Sequence, residues 1–384
     1  MASRKRKSIA TRPTTQYDTR RFHSFEAWNR YMDNILGRHI LPERKVEIYH
    51  TELDKFKAEL ERRNFHKRLT NLVDNNIDLA LVKEFYANLY RSEDPPPKHA
   101  KVRGHLVKID ADNLNTFLET PVILVEGETL PAYSRYCRLL TNYKEIEAAL
   151  CIPGRGFVLN SEGHPGKILR NDLMTLAQVW SVLSYSNLAP TSHTSDLIVD
   201  RARMIFGLVS QMDMNVGALI SGQITSIAQS NSSRLGFPAL ITVLCKDRGV
   251  TSDSLVFERL SPVINLAYIK KNNWNPDDLT VSIRGARQAR MRPAEPPSTS
   301  TTPIPARSIP SVKQFTELVA WPGTLSSLCK EDEGPTAQVP QHVEDDSSEA
   351  TILEPFVRGM VAEETQEVAA TLERSLEAAS EPPA

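Results

Sequence analysis

A chain of 384 residues, 40% hydrophobic and 24% charged, has the composition of a globular protein, and its length suits one large domain or two ordinary ones. No run of eighteen apolar residues occurs, which excludes a membrane-spanning helix, and MASRKRKSIATRP has no apolar stretch behind its basic residues, which excludes a secretory signal. Cys137, Cys151, Cys245 and Cys329 stand far apart with no Cys-x-x-Cys, so they read as reduced, mostly buried thiols of an intracellular protein and not as a disulfide framework.

Helical periodicity dominates residues 22–283. Ser24 caps FEAWNRYMDNIL, where Phe25, Trp28, Met32 and Ile35 share a face. Thr51 to Asn64 reads as an amphipathic helix built on Leu53, Phe56 and Leu60. Asn76 or Asp78 opens a third helix with a wide stripe of Leu79, Val82, Phe85, Tyr86 and Leu89, and the RSEDPPP at 91–97 ends it. KVRGHLVKID at 101–110 predicts a short hairpin around Gly104, after which Asp110 caps ADNLNTFL. VILVEGE at 122–128 is the one strongly apolar short strand. The glycine-rich stretch 151–170 reads as a loop or a hairpin turning at Ser161–Gly166. Asn171 or Asp172 opens a helix through Leu183, Thr194 or Ser195 one through Val209, and Asn215 one through Ala228, in which Gly217 and Gly222 admit close helix contact. Pro238 suits a helix N-terminus ahead of ALITVLCKDRGV, with Gly249 as the stop. The expected fold is mainly α: a single helical domain with one or two small β-hairpins, flanked by disordered termini. A unit of this size buries roughly three-quarters of its unfolded surface.

The formal net charge of −1 conceals a polarity along the chain. Residues 1–21 carry seven basic groups against one acid, residues 284–330 seven against two, and residues 331–384 two against fourteen, while residues 22–283 are neutral. Four segments follow: a basic N-terminus at 1–21, the helical domain at 22–283, a basic then Pro/Ser/Thr-rich linker at 284–350, and an acidic tail at 351–384 in which Phe356, Met360, Val361, Val368 and Leu372 suit an amphipathic helix. The run Arg4, Lys5, Arg6 and Lys7, followed by Arg12, Arg20 and Arg21, fits a nuclear-import signal or a phosphate-contacting arm, and the plain alternative is a solvated basic terminus. Arg284, Arg287, Arg290 and Arg292 form a second basic strip of the same kind. Any electrostatic binding therefore belongs to the flanks.

The familiar catalytic and metal-binding patterns are not seen in the residues. Strand transfer needs carboxylates converging on two metals, and the acids here are scattered over helix surfaces, with Glu126 alone on the apolar strand. YMDN at 31–34 is only faintly similar to the Tyr-x-Asp-Asp of reverse transcriptases, and no Asp-Thr/Ser-Gly triplet supports an aspartic protease. Cys151 or Cys245 with His164 or His193 would make a thiol–imidazole pair, but both cysteines lie in apolar settings that favour a structural thiol. No Cys/His cluster suggests zinc, and no GxxxxGK[ST] suggests a phosphate loop.

Seven phrases in order resemble a plant family known as the putative plant transposon protein domain. They are LPERKVEI at 41–48, IDLALVKEFYANLY at 77–90, VRGHLVKIDADNLNTFLETP at 102–121, LCIPG at 150–154, LAPTSHTSDLIVDRARMIFGLV at 188–209, MNVGALI at 214–220 and FPALITVLC at 237–245, covering about residues 22–260. The resemblance implies descent from plant mobile-element sequence. It carries no established activity, so no catalytic residue, metal or cofactor is transferred. The expected protein is a non-catalytic helical module for binding or self-association, nuclear in preference to cytoplasmic, with weak DNA or RNA contact through its basic flanks. It calls for no membrane and no small-molecule substrate, and a homo-oligomer fits it. The alternatives are a metal-dependent transposase-type enzyme, a gag-like assembly protein, and a degraded element product without a role.

Overall fold

The computed structural model describes residues 17–283 apart from 50, 72–75, 93–95 and 253–256. Ser24 adopts an extended conformation and its hydroxyl accepts from the Ala27 N–H, starting α1 (Phe25–Arg30), which runs on into a π-helical turn at Tyr31–Ile35. The buried face is the expected one only in part: Ile35 is buried and Trp28 packs against the core, but Phe25 and Met32 do not. Ala27, Tyr31 and Ile35 point inward, whereas Phe25 and Met32 are each 46% exposed. Phe22, ahead of the helix, takes the inner position and packs on Trp28 and Tyr31 with ring centroids 5.3 and 4.9 Å away.

Strand β1 (Arg44–Glu47) is followed by a 3₁₀ turn and α2 (Asp54–Arg62). Here the spacing holds: Leu53, Phe56 and Leu60 are buried, and the Phe56 ring meets Trp180 edge-on at 4.5 Å. After β2 (Asn76–Asp78), the Asp78 carboxylate accepts from the N–H groups of Ala80 and Leu81 and begins α3 (Leu79–Leu89). From Leu81 onward α3 is buried on nearly every side, Glu84 and Asn88 included, which marks it as the central helix. Strands β3 (His99–Val102) and β4 (His105–Lys108) form the expected hairpin. Its two-residue turn holds Arg103 and Gly104 at φ 47° and 90°, the left-handed pair that a tight turn between twisted strands requires.

Asp110 caps α4 (Ala111–Leu118) through the Asn113 N–H. Glu119 then turns left-handed at φ 58°, and Val122, Ile123, Leu124 and Val125 run along the surface without a strand partner among the described residues. The strand expected at 122–128 is therefore not formed, because no ladder meets it. Helices α5 (Ala132–Cys137) and α6 (Tyr143–Leu150) lead to the hairpin of β5 (Phe157–Leu159) and β6 (Pro165–Leu169). Helix α7 (Thr175–Leu183) starts later than Asn171 or Asp172, which lie in a 3₁₀ turn. Its first N–H donates to Asp278, about a hundred residues away in sequence, and its end widens into a π turn at Ser184–Leu188. Strand β7 (Asp196–Ile198) joins β6, so α8 (Val199–Val209) begins after Ile198 and not after Thr194 or Ser195.

Asn215 caps α9 (Val216–Gln229), and α10 (Pro238–Asp247) has proline at its first position and Gly249 at φ 80° beyond its end, all as expected. The remaining elements, β8 (Phe257–Arg259), β9 (Ser261–Asn265) and α11 (Leu266–Asn272), show no periodic signal. They return to the front of the domain, β9 pairing parallel with β1 and β8 antiparallel with β2. The described residues thus form a mainly helical body with four small sheets around it.

Candidate functional site

The buried polar side chains are first of all joints between helices. Glu43 is 2% exposed, and its two carboxylate oxygens accept from the N–H groups of Ala239 and Leu240 at 3.0 and 2.8 Å, closing the N-terminus of α10. Burial pushes this carboxyl up to about 7, against the pull of the two backbone bonds. Asn187 holds the Arg44 backbone through both its N–H and its carbonyl and also bonds the Leu69 carbonyl. Asn115 on α4 accepts from the Gly217 N–H at 2.7 Å and donates to Asn215, where a side chain on Gly217 would press into the Ala111 carbonyl. Arg30 and Arg38 reach the free carbonyls at the end of α9, a placement that suits the negative end of a helix. Glu59, 3% exposed, is bracketed by Arg62 and Arg63 at 2.8 and 2.5 Å.

The residues considered for chemistry lie apart. Burial raises the thiols of both Cys151 and Cys245 to about 12, so at neutral pH each is protonated. His164 is exposed on the β5–β6 turn beside Glu162. Glu126 lies in an exposed turn and Asp33 on the outer side of the π-helical turn. Among the described residues, no three His, Cys, Asp or Glu side chains stand where they could hold a metal ion, and no helix is long and apolar enough to cross a membrane.

Arg4, Lys5, Arg6, Lys7 and Arg12, and the second strip Arg284, Arg287, Arg290 and Arg292, lie outside the described residues. Arg20 and Arg21 are described, and they open onto a cleft of about 620 Å³ between residues 17–23 and the β3–β4 hairpin, whose wall carries Lys101 and Arg103. Helix α3 builds this wall from below. Its fully buried Glu84 pairs with Arg21 at 2.7 Å and with Arg103 at 2.9 Å. One turn on, Asn88 accepts from the His23 N–H and donates to the Arg21 carbonyl, fixing the chain at 21–23. Arg103 also donates to the Thr251 carbonyl at 2.9 Å. Burial pulls the Arg21 guanidinium down, but Glu84 outweighs it and holds the group above its ordinary value. Burial likewise pushes His23 below its ordinary value, so it adds no charge at neutral pH.

Among the described residues, four cations thus stand with Asp18 at the edge of the cleft and Glu84 beneath it, and Lys101 has no carboxylate partner there. Sequence reasoning missed Lys101 and Arg103. Their charges alternate with buried Ala100 and Val102, a pattern that reads as the wet face of any strand. The signal available was Arg-Gly at a hairpin turn, which lifts a guanidinium to one edge of the sheet.

Residues 61–251 match the family described as "Putative plant retrotransposon-related domain". The matched stretch is shorter than the span of the seven phrases and leaves LPERKVEI outside, although Glu43 of that phrase is tied into α10. Comparison with curated proteins and with solved structures gives no match.

Proposed function

Because residues 61–251 belong to the plant retrotransposon-related domain family, we propose that this mobile-element-derived chain is a helical nucleic-acid-binding module, acting through its basic flanks at 1–21 and 284–292 and not through a catalytic centre. Arg20 and Arg21 carry the reading. They are the described end of the N-terminal basic segment, and they stand in a cleft with Lys101 and Arg103 where, among the described residues, basic groups outnumber acidic ones. Contact of this kind is made to phosphates, needs no base-specific group and weakens with salt. The Arg4–Lys7 run also suits nuclear import, which makes the nucleus the proposed site of action.

The test is binding of labelled oligonucleotides by the full chain across a salt series. Alanine at Arg4, Lys5, Arg6, Lys7, Arg284, Arg287, Arg290 and Arg292 removes up to eight phosphate contacts, and the slope of log affinity against log salt falls by roughly 6. Undiminished binding by that variant would refute the assignment to the flanks.

A further inference from the structure

We infer that the cleft between residues 17–23 and the β3–β4 hairpin binds single-stranded nucleic acid, with its cations on the phosphodiester backbone and the Tyr17–Phe25 ring pair on a base. The inference rests on the nucleic-acid reading above and adds to it a site within the folded domain and a strand preference.

The cationic wall is pre-organised. Arg21 and Arg103 approach the two oxygens of one fully buried carboxylate from opposite chain segments, so the guanidiniums are held in place before any ligand arrives. Arg20 and Lys101 stand further out and are exposed. A volume of about 620 Å³ lies within the range of small-ligand pockets and leaves room for a phosphate with its sugar.

The aromatic pair supplies the second observation. Tyr17 lines the cleft and its ring lies 5.9 Å from that of Phe25, which is 46% exposed. The core does not use this phenyl group, since Phe22 occupies the inner position. Cations that follow a backbone, set beside aromatic rings open to a π-face, are the elements by which proteins hold single strands. A duplex can use the cations, but its base faces are already stacked on one another. An acidic peptide can use the cations as well, and it gains nothing from the rings. The rings therefore decide for an unpaired base.

Fluorescence anisotropy of the full chain with a labelled oligothymidine, and with a duplex of equal length, tests this. Arg20, Phe25 and Lys101 are exposed, so their alanine variants keep the fold, and circular dichroism with thermal melting confirms it. Phe25→Ala is expected to weaken single-strand binding roughly 5- to 150-fold, the range of one lost base–aromatic stack, and to leave duplex binding unchanged. Arg20→Ala with Lys101→Ala is expected to lower the single-strand salt slope by about 1.4, for two phosphates. If Phe25→Ala has no effect, or weakens single strand and duplex alike, the inference is overturned. Loss of binding in the flank variant together with wild-type binding in both cleft variants overturns this site while leaving the flank reading intact. Failure of the unaltered chain to bind any oligonucleotide overturns both.

Discussion

Replacing Glu43 by glutamine should change how the stability of the domain depends on pH. The carboxyl has an ordinary value of 4.5 and is raised by burial to about 7 in the folded chain. Below pH 4.5 it is protonated in both folded and unfolded chains and imposes no penalty. Between 4.5 and 7 the unfolded chain releases the proton while the folded chain keeps it, so stability falls as pH rises. The full effect, reached above pH 7, is about 3 kcal/mol, since each tenfold change in proton affinity between the two states is worth ~1.4 kcal/mol. Glutamine cannot ionise, so it lacks this slope, but it bears a separate defect. Both Glu43 oxygens accept N–H groups of α10, and an amide nitrogen placed against one of them sets donor against donor. That costs about 1–3 kcal/mol at every pH. Urea unfolding of wild type and Glu43→Gln, followed by tryptophan fluorescence, to which buried Trp180 contributes, gives the difference directly, and titrations common to both chains cancel. The variant should be the weaker protein at pH 4.5, and the gap should close or reverse by pH 8. Parallel curves over that interval would show that the carboxyl keeps its ordinary ionisation in the fold and would refute the argument.

Gly217→Ala should lower stability by about 2–4 kcal/mol, because the new methyl meets the Ala111 carbonyl and the Asn115 side chain; Gly37→Ala, where an added methyl touches nothing, should leave thermal melting unchanged. In native protein at pH 8, iodoacetamide should reach half-buried Cys137 well before Cys151 and Cys245, whose thiolate fraction is about one in ten thousand; peptide mass spectrometry checks this, and equal rates would contradict the burial of the two thiols.

The signals that survived from sequence to fold were local ones. Ser24, Asp78, Asp110 and Asn215 each cap the next helix within three residues, and Arg103–Gly104 makes a turn with no help from elsewhere. What was not legible depends on partners far along the chain. The first N–H of α7 is met by Asp278, and β1 becomes a strand only because β9 returns to it from more than two hundred residues away. The VILVEGE segment shows the reverse case: strong strand propensity with no edge to join among the described residues. Periodicity chose Phe25 for the core because it counts residues inside a helix, and it could not see Phe22 fill the place from outside. The candidate site divides in the same way. Arg20 and Arg21 were legible as charges, whereas Lys101, Arg103 and Glu84 became one site only when α3 brought them together.

The phrases that carry the family resemblance meet one another inside the fold. LPERKVEI supplies Glu43 to the helix of FPALITVLC. VRGHLVKIDADNLNTFLETP supplies Asn115 to Gly217 of MNVGALI. IDLALVKEFYANLY supplies Tyr86, whose hydroxyl donates to the Gly236 carbonyl at the start of α10, and Glu84, which anchors Arg103 of the hairpin phrase. Three of these contacts join segments more than a hundred residues apart, while Glu84–Arg103 spans 19, and each leaves a buried polar group or a steric clash when broken. A chain that keeps these phrases therefore keeps a packing arrangement, and with Arg103 it keeps part of the cleft wall. The match to the retrotransposon-related domain over residues 61–251 takes in three of these four joints. The proposed binding draws on side chains outside these joints, the exposed Arg20 and Lys101 for charge and the exposed Phe25, paired with Tyr17 of the cleft, for aromatic surface.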